Sequence, residues 1–194
     1  MMKQLVVNPF EKIAGLQALG IGFLLMITGA LLAYFCHARF DGAIDLHFGG
    51  DMHIMKPFAE QFIIWSCLSI VFYVMALTMG SRPRPIDIAG TLALARAPFT
   101  LVPLVNSTGF ISSLSLHMTA ENQNRLDLSP LNISILIILI GIILLAAIWL
   151  VMLYFKAYKV STNLKGNKLV VSFIAGLLMA EIVSVYLIRG PFNF

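Results

Sequence analysis

Long apolar intervals separated by short polar connections dominate the pattern of the chain. A helix needs about 20 apolar residues to cross a hydrocarbon core roughly 30 Å thick, and intervals of that length recur along the sequence. We therefore predict an all-α membrane protein, a single bundle of five transmembrane helices formed by the whole chain. The predicted spans cover residues 13–37, 58–80, 87–105, 130–155 and 168–189.

The third span differs from the other four because it contains Arg96, Pro98 and Pro103. Proline has no backbone N–H, and a span tolerates it where neighbouring helices satisfy the freed carbonyl groups. We therefore predict that this helix is broken at Pro98 and Pro103 and packs inside the bundle.

Three short sequence signals predict where helices begin. Asn8 followed by Pro9 is typical of an N-cap and a first helical position, so the first helix is expected to start before the membrane. Ser129 followed by Pro130 predicts the start of the fourth helix in the same way. Asp87 is a candidate N-cap for the third helix.

The connection after the first span predicts a short β-hairpin. Residues 44–54 alternate between apolar and polar positions, which is typical of half-buried strands. A three-residue loop at residues 49–51 pairs Leu46 with Ile54 and collects the apolar side chains on one face. The same register places His47 opposite His53 on the polar face.

This predicted polar face is a candidate metal site. Zinc is held by three or four nitrogen, oxygen or sulfur ligands, and the candidate ligands here are His47, His53, Asp45 and Asp51. The alternative is a hairpin whose apolar face lies on the bundle or the lipid interface and whose polar face is only solvated.

Composition agrees with a membrane location. Hydrophobic residues make up 59% of the chain and charged residues only 11%, against roughly 45–50% and about 25% in soluble domains. This composition argues against a soluble enzyme or a nucleic-acid-binding domain, and we expect the lipid bilayer as the surroundings and no nucleic acid partner. Aromatic residues near the predicted span ends, such as Tyr34, Trp65 and Tyr154, suit the interfacial belt.

The basic residues predict the orientation of the bundle. With the N-terminus inside, eight Lys and Arg residues lie on the inner side and four on the outer side, which follows the positive-inside rule. The inner residues are Lys3, Lys12, Arg82, Arg84, Lys156, Lys159, Lys165 and Lys168, and the outer ones are Arg39, Lys56, Arg125 and Arg189. Five spans then place the C-terminus outside.

Two charged residues lie deep within the predicted spans. Arg96 lies about ten residues from the inner end of the third span and Glu181 about thirteen from the inner end of the fifth, a depth difference of roughly 5 Å. An unpaired charge at this depth costs at least about 2.5–3.5 kcal/mol. We therefore predict an intramembrane ion pair between them, with a solvated cavity or an ion-coupled transport site as the alternatives.

These features together resemble the Ypt-interacting-protein (Yip) family of five-span membrane proteins. The resemblance rests on Pro9 before a helix start, residues 95–98 (Ala-Arg-Ala-Pro) in a proline-broken third span, Trp149 in the fourth, and the basic connection 156–168 leading into the fifth. Eukaryotic relatives act with Rab-type GTPases through a long cytoplasmic N-terminal region. About a dozen residues precede the first span here, so the resemblance implies a bacterial member in the cytoplasmic (inner) membrane rather than a GTPase partner.

Three functions follow as hypotheses. The first is a non-enzymatic protein of Yip-like type that scaffolds or organises other membrane components, with a membrane protein partner or a homo-oligomer. The second is a transporter or channel subunit with a midplane site around Arg96 and Glu181. The third is a metal-binding sensor or membrane enzyme that uses the outer loop, with zinc as its cofactor. The sequence contains no HExxH, GxSxG, Walker or CxxC motif, so we expect no enzymatic activity and no cofactor for the first two.

Overall fold

The predicted five-helix membrane bundle is confirmed by a computed structural model, which describes residues 8–50, 53–113 and 129–190. Five helical segments in these ranges are long and apolar enough to cross a membrane. The helices are α1 (Gly15–Phe35), α2 (Met55–Thr78), α3 (Pro85–Ala95), α4 (Ala97–Leu101), α5 (Pro130–Thr162) and α6 (Gly166–Arg189), and the strands are β1 (Ala38–Phe40) and β2 (Leu46–Phe48). The third span consists of α3, α4 and a 3-10 turn at Val102–Asn106.

Helix starts agree with the sequence signals in one case of three. Ser129 caps α5, since its hydroxyl accepts a hydrogen bond from the Asn132 amide at 3.3 Å. The third helix instead begins at Pro85, so the N-cap predicted at Asp87 is wrong, because the fixed φ of proline suits the first helical position. The Asn8-Pro9 signal starts only a 3-10 turn, Pro9–Glu11, and α1 follows at Gly15.

The third span is the most buried of the five and lies at the centre of the bundle. It packs against α1, α2 and α5, while α6 packs on α2. The closest approach joins α1 to α3, where a Cβ atom added to Gly22 would lie 2.6 Å from the backbone of Ala93. Small residues allow two membrane helices to approach in this way.

Polar contacts identify the two ends of the bundle. At one end the Ser81 hydroxyl donates to the Thr162 carbonyl at 2.6 Å. At the other end, which we call the hairpin end because β1 and β2 lie there, the Asn106 side-chain amide donates to the Cys36 carbonyl at 2.8 Å. Five crossings therefore place the start of α1 and the end of α6 at opposite ends, and Arg189 lies at the hairpin end beside Asp41.

The hairpin has a different register from the predicted one. β2 forms as a strand, but it pairs antiparallel with β1, so that Arg39 lies opposite His47 and Ala38 opposite Phe48. The predicted pairing of β2 with the segment up to Ile54 is wrong, because Ile54 has helical backbone angles and leads into α2. Ala38 and Phe48 are both buried, so the apolar face of the hairpin packs on the bundle.

Candidate functional site at the hairpin end of the bundle

Arg96 lies at the interruption between α3 and α4, two residues before Pro98. Proline at the second position of α4 removes one backbone donor, and the chain turns at Arg96 before the helix resumes. The break directs the Arg96 side chain into the protein, where the residue is only 1% exposed. A fully enclosed guanidinium group needs hydrogen-bond acceptors from the protein.

Two side chains from other spans supply these acceptors. Arg96 Nε donates to Gln61 Oε1 at 2.8 Å, and Nη1 donates to the Tyr154 hydroxyl oxygen at 2.9 Å. The guanidinium carbon also lies 5.9 Å from the ring centre of Phe40 in β1, a cation–π distance. In the described part of the chain, Arg96 Nη2 is buried without a hydrogen-bond partner.

Glu181 contacts the turn between the two strands. One carboxylate oxygen, Oε2, accepts a hydrogen bond from the Ile44 amide at 2.9 Å. A Cβ atom on Gly42 would overlap the same carboxylate, so the backbone of the turn lies directly against Glu181. The Tyr154 hydroxyl donates to the Ala43 carbonyl at 3.3 Å. The turn therefore joins the Arg96 group and Glu181 indirectly.

The structure does not form the predicted ion pair between Arg96 and Glu181, both of which lie in the described ranges. Arg96 binds the neutral groups of Gln61 and Tyr154, and Glu181 binds a backbone amide. Agreement in depth was the basis of the prediction, but depth does not determine which helices are neighbours. Because α6 packs on α2, Glu181 meets the strand turn rather than the break in the third span.

A second buried acid anchors β1 to α2. Glu60, which is 3% exposed, accepts a hydrogen bond at 2.8 Å from Arg39 Nε and one at 3.0 Å from the Phe40 amide. Arg39 Nη2 also lies 2.8 Å from Glu60 Oε1. Charge-assisted bonds of this kind are stronger than neutral ones, so the first strand is held firmly on the end of α2.

Asp41 joins the strand turn to the end of α6. Its Oδ2 atom contacts His47 Nδ1 and lies 3.2 Å from Arg189 Nη2. Burial acts to raise the pKa of Asp41, but the hydrogen bonds and charges of His47 and Arg189 outweigh it and lower the pKa below the ordinary value. Asp41 is therefore held as the carboxylate.

These groups border an open cavity of about 450 Å³ at the hairpin end. Its polar lining comes from the side chains of Arg39, Asp41, Asp45, His47 and Arg189. Its lining contains groups of both charges, and most of them already bind one another. The arrangement can hold a small polar or zwitterionic group, but its main physical effect is to tie β1, β2, α2 and α6 together.

The predicted zinc ligands are not brought together. Within residues 8–50, 53–113 and 129–190, no three His, Cys, Asp or Glu side chains are grouped to hold a metal. His47 binds Asp41, whereas the His53 ring accepts from the Met55 amide at 3.4 Å. Asp45 lies 3.8 Å from Arg189, and Asp51 lies outside the described residues.

Sequence reasoning missed several residues of this cluster. Gln61 and Glu60 follow one another at the start of an apolar span, and two polar residues at that place were a usable signal. Tyr154 was expected in the interfacial belt, which is wrong because Tyr154 is fully buried. Its hydroxyl has both an Arg96 donor and a backbone acceptor, and sequence alone gives neither.

Comparison with known proteins adds no relative to this description. No family model, no curated protein and no solved structure matches the chain.

Proposed function

We propose that the protein is a non-enzymatic, multi-pass membrane protein of Yip-like type that scaffolds other membrane components. We place it in a bacterial cytoplasmic membrane with the N-terminus inside. The observation that carries this proposal is the difference between the two halves of α5. The inner half contributes six buried residues to the bundle, Leu150, Leu153, Tyr154, Ala157, Tyr158 and Thr162, whereas none of residues 131–149 is buried.

The outer half of α5 has the length and chemistry of a helix contact surface. Its 19 residues extend about 28 Å and carry no charge, so lipid or another apolar helix can cover them. Five large side chains surround Gly141 on one exposed face with a spacing of three and four residues. We call this set the Gly141 face: Ile137, Ile138, Gly141, Leu144, Leu145 and Ile148.

Glycine at the centre of this face favours a transmembrane helix of another protein as its partner. A Cβ atom added to Gly141 would have no atom within 4 Å, so nothing in this bundle requires glycine there. Helices associate in membranes chiefly by close packing at small residues, since lipid supplies no hydrophobic driving force. A groove flanked by large aliphatic side chains suits that packing.

The experiment is photo-crosslinking in native membranes with a photoreactive amino acid at position 138. The matched control is position 70 on α2, because Ile70 is also lipid-exposed, at 64% against 62% for Ile138. We expect one protein adduct of defined mass from position 138, none from position 70, and its loss in Gly141→Leu.

Gly141→Leu is a suitable variant because the space around residue 141 is open, so the bundle is expected to keep its thermal stability. Adducts of lipid alone at position 138 would overturn the proposal. An adduct of twice the chain mass would replace it with a homo-oligomer that uses the same face.

A second candidate, a transporter or channel subunit, is favoured by one observation, the unpartnered Nη2 of Arg96. A spare buried donor could bind an anion or a water molecule on a pathway. Enclosure of the residue argues against such a pathway in this conformation. Ion flux through proteoliposomes that exceeds that of empty liposomes and is lost in Arg96→Lys would favour this candidate over scaffolding.

A further inference from the structure

A cavity of about 270 Å³ lies between α1 and α2, toward the hairpin end. Aliphatic and aromatic side chains form its walls, including Phe23 and Ile27 of α1 and Phe58 and Phe62 of α2. Ile27 is 47% exposed and Phe62 is 56% exposed. The cavity therefore opens on the lipid-facing side surface of the bundle.

Gln61 is the polar side chain of this apolar lining. The residue is 3% exposed, and its Oε1 atom accepts the hydrogen bond from Arg96. That bond fixes the orientation of the amide and leaves the Nε2 group as a donor. Among the described residues, Nε2 has no hydrogen-bond partner, and an unpaired donor in apolar surroundings is unfavourable.

Gln61 lies in the outer part of the hydrocarbon core, a few ångströms below the level of the lipid ester groups. The 24 residues of α2 extend about 36 Å, so the helix exceeds a core of roughly 30 Å by about 3 Å at each side. Gln61 lies about 9 Å from the start of α2, or about 6 Å inside the core. Helical side chains lean toward the helix N-terminus, which here directs the amide toward the membrane surface.

We propose that this cavity binds an acyl-chain segment of a glycerophospholipid whose ester carbonyl accepts a hydrogen bond from Gln61 Nε2. The volume is slightly below the roughly 300–1,000 Å³ of sites that enclose a drug-sized ligand, so part of one chain fits and a whole ligand does not. The carbonyl supplies the acceptor that Nε2 lacks, and the aromatic walls pack against the chain.

The test is native mass spectrometry of the purified protein with two phosphatidylglycerols that have the same chains, one ester-linked and one ether-linked. The ether lipid lacks only the carbonyl groups. We expect one tightly retained ester lipid and roughly 3- to 10-fold weaker binding of the ether lipid, as the loss of one hydrogen bond implies.

Ile27→Trp fills the mouth of the cavity, keeps Gln61 in the sequence and should remove this bound lipid. Ile70→Trp, at an exposed position that does not line the cavity, should bind as the wild type does and corrects for lipid held nonspecifically. Equal affinity for ester and ether lipids would overturn the hydrogen bond to Gln61. Unchanged retention in Ile27→Trp would overturn the site itself.

Discussion

Charged residues inside this bundle bind groups from other elements, and Arg96 and Glu181 do not bind one another. Arg96 uses one amide and one phenol, Glu181 uses a backbone N–H, and Glu60 binds an arginine that enters from the hairpin. Each contact joins segments far apart in the sequence. Removing one partner would leave a charge without its bonds in a medium of low dielectric, which is costly.

A double-mutant cycle distinguishes these partners. We expect Arg96→Gln and Tyr154→Phe to show a coupling energy of about 1 kcal/mol or more, since Arg96 Nη1 donates directly to the Tyr154 hydroxyl. Arg96→Gln and Glu181→Gln should show a weaker coupling than the first pair, because the strand turn separates the two side chains and only a longer-range charge attraction acts between them. Free energies of unfolding from SDS titration in mixed micelles measure both cycles. A strong coupling in the second cycle would restore the ion pair that the contacts exclude.

Asp41 gives the hairpin end a defined pH dependence. Its pKa is lowered in the folded state, so the stabilisation is fully present above the unfolded-state pKa and is lost as the pH falls through the folded-state pKa. The stability difference between wild type and Asp41→Asn should therefore shrink as the pH falls below the ordinary value of 3.8.

Thermal unfolding midpoints between pH 7 and pH 3 measure this difference. Asp45→Asn is the matched control, since the Asp45 side chain is 51% exposed and only 3.8 Å from Arg189, an arrangement worth at most about 1 kcal/mol. If the Asp41→Asn difference instead grows below the ordinary pKa of 3.8, then the sign of the pKa shift is wrong.

At the scale of elements, the close contact between α1 and α3 is the main packing feature of the bundle. Gly22 meets the backbone of Ala93 and Leu94, and Gly90 of α3 meets the Gly15 carbonyl on the other side of the contact. A Cβ atom added to Gly22 would lie 2.6 Å from the Ala93 backbone, and one added to Gly90 would lie 2.5 Å from the Gly15 carbonyl oxygen. The backbone cannot move aside as a flexible side chain can, so both glycines are required by packing.

Two alanine substitutions on the same helix test this contact. Gly22→Ala should destabilise the bundle by about 1–3 kcal/mol, as overpacking does. Gly20→Ala should stabilise it by roughly 0.5–1 kcal/mol, because no atom lies within 4 Å of the added methyl group and alanine favours helix. Unfolding midpoints in detergent measure both variants. Equal effects would mean that α1 and α3 are farther apart than the structure places them.

Local patterns predicted the elements well and their partners poorly. Apolar length located all five spans, and the Ser129-Pro130 signal located the start of α5. Alternation identified β2, which lies in a longer alternating run, but not β1, because Ala38-Arg39-Phe40 follows the first apolar span directly and no such run surrounds it. Contacts such as Arg96 with Tyr154 depend on which helix faces lie together. A single sequence gives the length and depth of each helix, but not the rotation of each helix about its own axis, which decides which faces meet.

At the scale of the whole molecule, the helix ends form two distinct surfaces. The connection of α2 to α3 and that of α5 to α6 lie at one end, where Ser81 contacts Thr162. The hairpin, the 3-10 turn at Val102–Asn106 and Arg189 lie at the other end. The first end carries most of the basic residues of the connections, so the positive-inside rule predicts that it faces the cytoplasm.

Single-cysteine labelling tests this orientation in a background where the buried Cys36 and Cys67 are replaced by alanine. Asp45→Cys lies at the hairpin end, and Arg84→Cys and Lys165→Cys lie at the opposite end; all three positions are exposed. A membrane-impermeant maleimide should label Asp45→Cys in intact cells and should label the other two only in inverted vesicles. The reverse pattern would contradict the predicted orientation but would remain compatible with the five-helix bundle. The α2–α3 connection contains Arg84 and the α5–α6 connection contains Lys165, and in this bundle both connections lie on the same side of the membrane. Labelling of Arg84→Cys and Lys165→Cys from different sides would therefore contradict the bundle itself.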